Sequence, residues 1–272
     1  FGALANKTYG NGPFGVSATA SSGLAVSFGA AGTCSITGTT VTIIGAGSCS
    51  ITASQSGNAS YNAAPDVLQT FSIGKASLTV TADSKSKQYS DAVPPLTASI
   101  TGFVAGDTAG VLSGAPSLGT TATTSSAPGT YPISVALGTL TAANYQFASF
   151  VPATLTIVAE DAVVTYTGDT TATTSAPTGA STASVVLAAA VAEAADGSLG
   201  NTLPGKLVRF SVFASNNRSA VVVMATVGGD NTASVTVALG DDTYTVRLEL
   251  VTNAEYAAAP SNATVTVVRK KK

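Results

Sequence analysis

The stretch Cys49-Ser-Ile-Thr-Ala-Ser-Gln-Ser-Gly-Asn-Ala-Ser-Tyr61-Asn-Ala-Ala-Pro65, leading into Phe71-Ser-Ile73, ends in a way that the chain repeats twice more. Tyr131-Pro-Ile-Ser-Val-Ala-Leu137 runs through Asn144-Tyr145 to Leu155-Thr-Ile157. Tyr244-Thr-Val-Arg-Leu-Glu-Leu250 runs through Asn253-Ala-Glu-Tyr256-Ala-Ala-Ala-Pro260 to Val265-Thr-Val267. Each copy joins a β-rich run, a tyrosine in a short polar stretch, and a last apolar strand. A spacing of roughly 80 to 110 residues is the length of a small β-sandwich. The sequence therefore predicts an all-β chain of three tandem sandwiches in an extended arrangement.

Working outward from these endings, alternation dominates. Thr40-Val-Thr-Ile-Ile44, Ser77-Leu-Thr-Val-Thr81, Ser234-Val-Thr-Val-Ala238 and Thr264-Val-Thr-Val267 place apolar and hydroxyl residues at period two. That pattern gives a strand one buried and one wet face. Gly, Pro, Asn and Asp interrupt the runs at the rhythm of a sandwich rather than of βαβ units. Val185 to Ala195 has the composition of a helix, but its Val185-Val-Leu187 opening reads as a strand, followed by a turn at Asp196-Gly197. The endings set the expected domains at 1–74, 75–158 and 159–272. Their joints, Gly74-Lys75 and the residues before Ala159-Glu-Asp161, are only a few residues long, which predicts a stalk with limited bending.

Composition narrows the function classes. Of the 272 residues 10% are charged, well below the roughly 25% of ordinary globular proteins, and Thr, Ser and Gly fill the gap. Such neutral, hydroxyl-rich surfaces fit secreted and cell-surface proteins. The formal net charge is −2, and Arg269-Lys-Lys-Lys272 is the only basic cluster. So short a tail offers few phosphate contacts, which argues against nucleic acid. No apolar run reaches the ~18 residues of a membrane span. Phe1 lies in what already reads as domain sequence, so the chain reads as part of a longer protein and its lack of a signal peptide is uninformative.

Residues 75–158 resemble the MBG domains of bacterial surface proteins, of the type marked by Tyr-Gly or Tyr-Asp. The match rests on Leu78-Thr-Val-Thr-Ala-Asp83, Lys87-Gln-Tyr89-Ser-Asp91, Pro94-Pro-Leu96 and Thr101-Gly-Phe-Val-Ala-Gly-Asp-Thr108, then on Pro128-Gly-Thr-Tyr131 and Asn144-Tyr145. Ser90 replaces the usual Gly after Tyr89, which puts the local turn in doubt. Residues 1–74 look like Ig-like repeats, through Ser22-Gly-Leu-Ala-Val-Ser-Phe28, Gly32-Thr-Cys34-Ser-Ile36 and Gly47-Ser-Cys49-Ser-Ile51. Residues 159–272 are similar more loosely, through Val164-Thr-Tyr-Thr-Gly-Asp169 and Pro204-Gly-Lys-Leu-Val-Arg-Phe210. The resemblance implies long exported bacterial proteins, commonly adhesins or their stalks, and no catalytic residues.

The chain has no His, which removes Ser–His–Asp and Cys–His machinery and His-based zinc sites. Its acids are scattered, with no carboxylate and aromatic cluster of the kind a glycosidase cleft needs. The two cysteines, Cys34 and Cys49, sit in matched frames flanking an inner strand and are expected to pair. The alternative is two buried thiols. Gly228-Gly-Asp-Asn231 and Gly240-Asp-Asp242 read first as hairpin turns. Their carboxylates, Asp230, Asp241 and Asp242, are also the calcium candidates. Tyr61, Tyr145 and Tyr256 read as structural tyrosines packed across a sandwich end with bonded hydroxyls, or else as a sugar-stacking surface. Lys75, Lys87 and Lys206 are the candidates for an intramolecular Lys–Asn crosslink. Two Thr-rich tracts, Gly119 to Ser126 and Asp169 to Ser175, are compatible with loops, edge strands or O-glycosylation.

These readings converge on a non-catalytic spacer without cofactors, located on the bacterial surface or outside the cell, whose partners are neighbouring modules of its own chain. The competing reading is an adhesive module that contacts a glycan or a host protein through end loops such as Ala195 to Pro204 or Gly119 to Thr130. Thr- and Val-rich edges leave pairing between chains open.

Overall fold

The computed structural model describes residues 1–193, 203–215, 219–251 and 254–272. All regular structure among these residues is strand, apart from one 3-10 turn at Ala109–Val111, so the all-β expectation holds. Two compact units emerge. One contains Phe1–Asp83, Leu96–Thr120 and Pro132–Ala153; the other contains Ser84–Pro95, Thr121–Tyr131 and Thr154–Lys272.

In the first unit, Gly47–Gln55 pairs antiparallel with Ser27–Gly32 on one side and with Ala64–Gly74 on the other. Its period-two pattern is realised directly: Cys49, Ile51, Ala53 and Gln55 are buried while the residues between them are partly exposed. A smaller sheet of Phe14–Gly15, Thr40–Ile43 and Cys34–Thr37 carries Val41 and Cys34 into the same core. The Cys34–Cys49 disulfide joins the two sheets at a Cα–Cα distance of 5.6 Å. Both cysteines are buried, because each occupies an inward position on its own strand.

The chain then passes from Ala64–Gly74 into Ala76–Ala82 with only Lys75 between them. Ala76–Ala82 lies antiparallel to Ala98–Thr101 and parallel to Tyr145–Val151. It buries Ala76, Leu78, Val80 and Ala82. A single buried cluster runs from Val41, Cys49, Ile51, Phe71 and Ile73 through Ala76 and Leu78 to Tyr9 and Tyr145. Lys75 is therefore passed by a continuous core rather than by solvent, and its Nζ donates to the Ala142 carbonyl at 2.9 Å.

In the second unit, Lys85–Gln88 pairs in parallel with the end of Ala153–Val158. One four-stranded sheet is ordered Thr232–Leu239, Ala183–Glu193, Glu160–Tyr166, Tyr256–Ala258. A five-stranded sheet is ordered Thr171–Thr173, Ser261–Val268, Asp242–Val251, Leu207–Phe213, Ser219–Thr226. Val185, Leu187 and Ala189 from the first sheet and Val208, Phe210, Val212, Val246 and Leu248 from the second are fully buried. Ala183–Glu193 is a strand, because its alternate residues fill this core; helix propensity is a weak prior that packing overrides. The turn expected at Asp196-Gly197 and most of the Ala195 to Pro204 loop lie outside the described residues.

Replacing Cys34 and Cys49 together by Ala is expected to destabilise the chain by about 3 kcal/mol, the chain-entropy value for a loop of about 15 residues. The check is the guanidinium unfolding midpoint at constant slope, which reductant should lower in the parent chain and leave unmoved in the variant.

Candidate functional site

Three times a short strand lies parallel to the end of a later one and hands its next N–H to the last carbonyl of that strand. Lys7–Thr8 pairs with Ile73 and Gly74, and the Tyr9 N–H donates to the Gly74 carbonyl at 2.9 Å. Lys85–Gln88 pairs with Leu155 to Val158, and Tyr89 N–H donates to Val158 at 2.9 Å. Thr171–Thr173 pairs with Thr266 to Val268, and Thr174 N–H donates to Val268 at 2.9 Å. Two of the three positions are tyrosines, and each tyrosine meets a second one.

The ring of Tyr9 stands edge-on to that of Tyr145, with centroids 5.5 Å apart at 86°, and Phe103 adds a second edge at 5.7 Å. Both phenols are buried, so each hydroxyl needs a partner. Asp107 supplies it: one oxygen, Oδ2, accepts from Tyr9 at 2.9 Å and from Tyr145 at 2.7 Å. The Tyr145 oxygen in turn accepts the Val104 N–H at 3.1 Å. A tight turn aims Asp107, with Ala105 and Gly106 both at positive φ and the Asp107 N–H bonded to the Val104 carbonyl at 3.0 Å. Burial pushes both phenol pKa values up, and the Asp107 carboxylate pushes them further. Asn144 completes the arrangement: its Oδ1 accepts the Ala46 N–H at 2.9 Å, and its carbonyl accepts the Ala76 N–H at 3.0 Å. Gly10, at φ 90°, follows Tyr9, and a Cβ there would fall 2.4 Å from Val104 Cγ2. Glycine is required on both counts.

The second pair repeats the rings with different chemistry around them. Tyr89 and Tyr256 meet edge-on at 6.0 Å and 75°. Lys206 lies 5.6 Å from the Tyr256 ring centroid and pairs with Glu255. Glu160, fully buried, follows the strand end and holds the place in parallel pairing with Tyr256 that Ala76 holds with Tyr145. Lys87 is buried close by and donates to the carbonyls of Asp91 at 3.0 Å and of Gln88 and Thr124 at 3.4 Å. Burial pulls its pKa down, opposed by the charges of Asp91 and Glu160. Ser90, in the place of Gly10, is held at φ 70°, and its hydroxyl is buried without a hydrogen-bond partner.

The other sequence candidates sit elsewhere. Tyr61 is 53% exposed, in a loop closed by the Asn58 side chain, which accepts the N–H groups of Ser60 and Tyr61. Asp230 caps its own turn by accepting from the N–H and hydroxyl of Thr232, Asp241 takes a two-point bond from Arg269, and Asp242 accepts from Ser215 and Thr243. These bonds hold all three carboxyls below the usual range. The turns carrying them are not hairpins, since each links strands of different sheets. Among the described residues no three His, Cys, Asp or Glu side chains converge as metal ligands. Tyr9 and Asp107 are the residues that sequence reading missed. A signal existed in Val104-Ala-Gly-Asp107, whose Ala-Gly step favours a left-handed turn, but nothing local shows what the carboxylate faces.

Substituting Asp107 by Ala leaves the buried Tyr9 hydroxyl without its acceptor and Tyr145 with the Val104 carbonyl alone, and is expected to cost about 1–3 kcal/mol. Asp107→Asn, which keeps an acceptor oxygen, should lose less, as read from paired urea melts. Ser90→Gly is expected to stabilise the chain by roughly 0.5–1 kcal/mol by relieving the left-handed strain, observable as a raised thermal midpoint.

Known proteins add a family and faint structural likenesses. No curated protein sequence matches the chain. The Escherichia coli adhesin FdeC is 15% identical at a TM-score of 0.30, over 96% of this chain and 86% of that one. The Yersinia pseudotuberculosis adhesin InvE is 14% identical at 0.31, over 70% of this chain and 58% of that one. A Bifidobacterium dentium β-glucuronidase is 18% identical at 0.28, over 40% of this chain and 18% of that one. The chain thus spans less than two thirds of the β-glucuronidase and of InvE. Residues 78–156 match the family of the MBG domain (YGX type).

Proposed function

We propose that the chain is a non-catalytic spacer from a bacterial cell-surface or secreted adhesin-like protein, built of three tandem modules at 1–74, 75–158 and 159–272. The observation that carries this reading is the recurring edge-on tyrosine pair beside a one-residue junction. Tyr9 with Tyr145 flanks Lys75, and Tyr89 with Tyr256 flanks Ala159. A spacer works by geometry. It must resist bending where its modules meet, and buried rings on strand ends oppose bending because any opening exposes aromatic surface, and at Tyr9 and Tyr145 their bonded phenols as well.

The family match to residues 78–156 supports an exported, surface-related setting. Its partners in this reading are neighbouring modules of the same parent chain. Calcium has no assigned role here, since Asp230, Asp241 and Asp242 already bond to protein groups. The adhesive alternative rests on loops such as Gly119 to Thr130, where Lys87 already bonds the Thr124 carbonyl.

The deciding measurement is binding of the purified chain to an array of glycans and extracellular-matrix proteins, with calcium and then with chelator. Silence in both conditions is the expected result. A saturable hit would replace the spacer by an adhesive module, and its loss in chelator would assign calcium to Asp230, Asp241 or Asp242.

A further inference from the structure

An antiparallel sheet with one face in the core usually turns polar residues to water on the other. The five-stranded sheet departs from this on its outer face. Along Leu207–Phe213, the buried Val208, Phe210 and Val212 alternate with Leu207, Arg209, Ser211 and Phe213, which point outward. The register sets their neighbours. Leu207 stands opposite Val251, Arg209 between Met224 and Glu249, Ser211 between Val222 and Arg247, and Phe213 opposite Thr245. Leu207, Val222, Met224 and Val251 are 37%, 55%, 52% and 39% exposed, so large apolar side chains occupy much of a face that water would favour as polar.

Two opposite charges lie at the centre of this face. Glu249 is held by Arg209. Arg247, two residues away and on the same side of the strand, is exposed and has no ion pair among the described residues. Exposed apolar side chains around an unpaired guanidinium mark a contact surface, and their order says what fits it. A second copy can be laid face to face, with its Asp242–Val251 antiparallel to the first, about a two-fold axis in the interface plane that crosses the strands at the level of Leu248. Each row of side chains then meets the adjacent row of the other copy. Arg247 meets Glu249, Met224 meets Val222, Leu207 meets Phe213 and Arg209 meets Ser211. Opposite charges and apolar side chains pair throughout. Moving the axis by one residue sets Arg247 on Arg247 or Glu249 on Glu249, so charge alone selects the register.

We infer that the outer face of the five-stranded sheet is an isologous interface with a second copy of this chain. Stacked sheets lie about 10 Å apart, a gap that Met, Leu, Phe and Arg side chains fill from both sides. Four strands spaced about 4.8 Å apart, each contributing a run of roughly 25 Å, give on the order of 500 Å² per copy. The sum, about 1,000 Å², lies at the lower bound of specific interfaces. The dimer is therefore weak and forms as concentration rises. The interface stands whether or not the chain is a spacer, because it rests on the pattern of this face alone.

The test is sedimentation velocity of the full chain over a wide range of concentrations. The expected result is a reversible shift from monomer to dimer, weakened by added salt. Arg247→Glu and Glu249→Arg each bring like charges into opposition and should weaken the dimer by more than roughly tenfold. An equimolar mixture of the two variants should restore it, because each cross-copy pair is then again of opposite sign. Met224→Ser, which leaves both charges in place, should weaken it as well. Thermal melts separate folding from association: Arg247→Glu should keep the parent midpoint, since Arg247 has no ion pair to lose. A parent chain that stays monomeric at every concentration, a dimer that survives Arg247→Glu, or a mixture of folded variants that remains monomeric would overturn the proposal.

Discussion

A single oxygen atom, Oδ2 of Asp107, receives the hydroxyls of both Tyr9 and Tyr145, and the first unit is arranged around that requirement. Two phenols bury more apolar surface than most side chains of the unit, but only if their polar ends are satisfied. The carboxylate does this for both at once, which forces Tyr9, the Val104 to Asp107 turn and the start of Tyr145–Val151 to meet at one point. The left-handed Ala105-Gly106 step and the close approach of Gly10 to Val104 follow from that meeting. Asn144, next to Tyr145, then bonds residues on both sides of Lys75.

The second tyrosine pair separates what is essential from what is replaceable. The edge-on rings and the parallel strand ends are kept, while the groups around them change. At the second pair stand Lys206 with Glu255 at the Tyr256 ring and the buried Lys87 and Glu160 nearby. The constraint common to both is geometric: a ring must close over the point where one strand ends and the next begins. The third position of the set is Thr174, whose hydroxyl donates to the Ala176 carbonyl and accepts the Lys270 N–H. A hydroxyl satisfied by its own neighbours has no need of a ring from elsewhere.

This difference explains what the sequence disclosed. Alternation is local, so strands such as Gly47–Gln55 and Ala76–Ala82 could be read residue by residue, and matched frames made Cys34 and Cys49 an evident pair. The recurring tyrosines were equally visible, but recurrence in sequence is not equivalence in space. Tyr145 and Tyr256 are buried because a neighbour strand and a partner ring reach them, whereas Tyr61 has neither and is exposed. Tyr9 and Asp107 lie 98 residues apart, and no periodicity links residues at that distance. The acidic turns show a local use of carboxylates. Asp230 and Asp242 satisfy backbone N–H groups beside them, an arrangement that resembles a cation loop in composition.

The single residue at Lys75 carries more consequence than its length suggests. A short linker between separately packed bodies limits reach yet still allows rotation about its own dihedrals. Here the buried cluster continues past it, from Phe71 and Ile73 to Ala76, Leu78 and Tyr145. Rotation at Lys75 would pull Tyr145 from Tyr9, strip Asp107 of its donors and free the Ala46 and Ala76 amides from Asn144. Each loss is of ordinary size, about 1 kcal/mol for a hydrogen bond and 0.5–1.5 kcal/mol for a ring pair. They cannot be lost one at a time, because a single displacement removes them all. Stiffness at this point therefore comes from the simultaneity of several modest contacts, set by the short connection that gives the chain no way to relax one while keeping the rest.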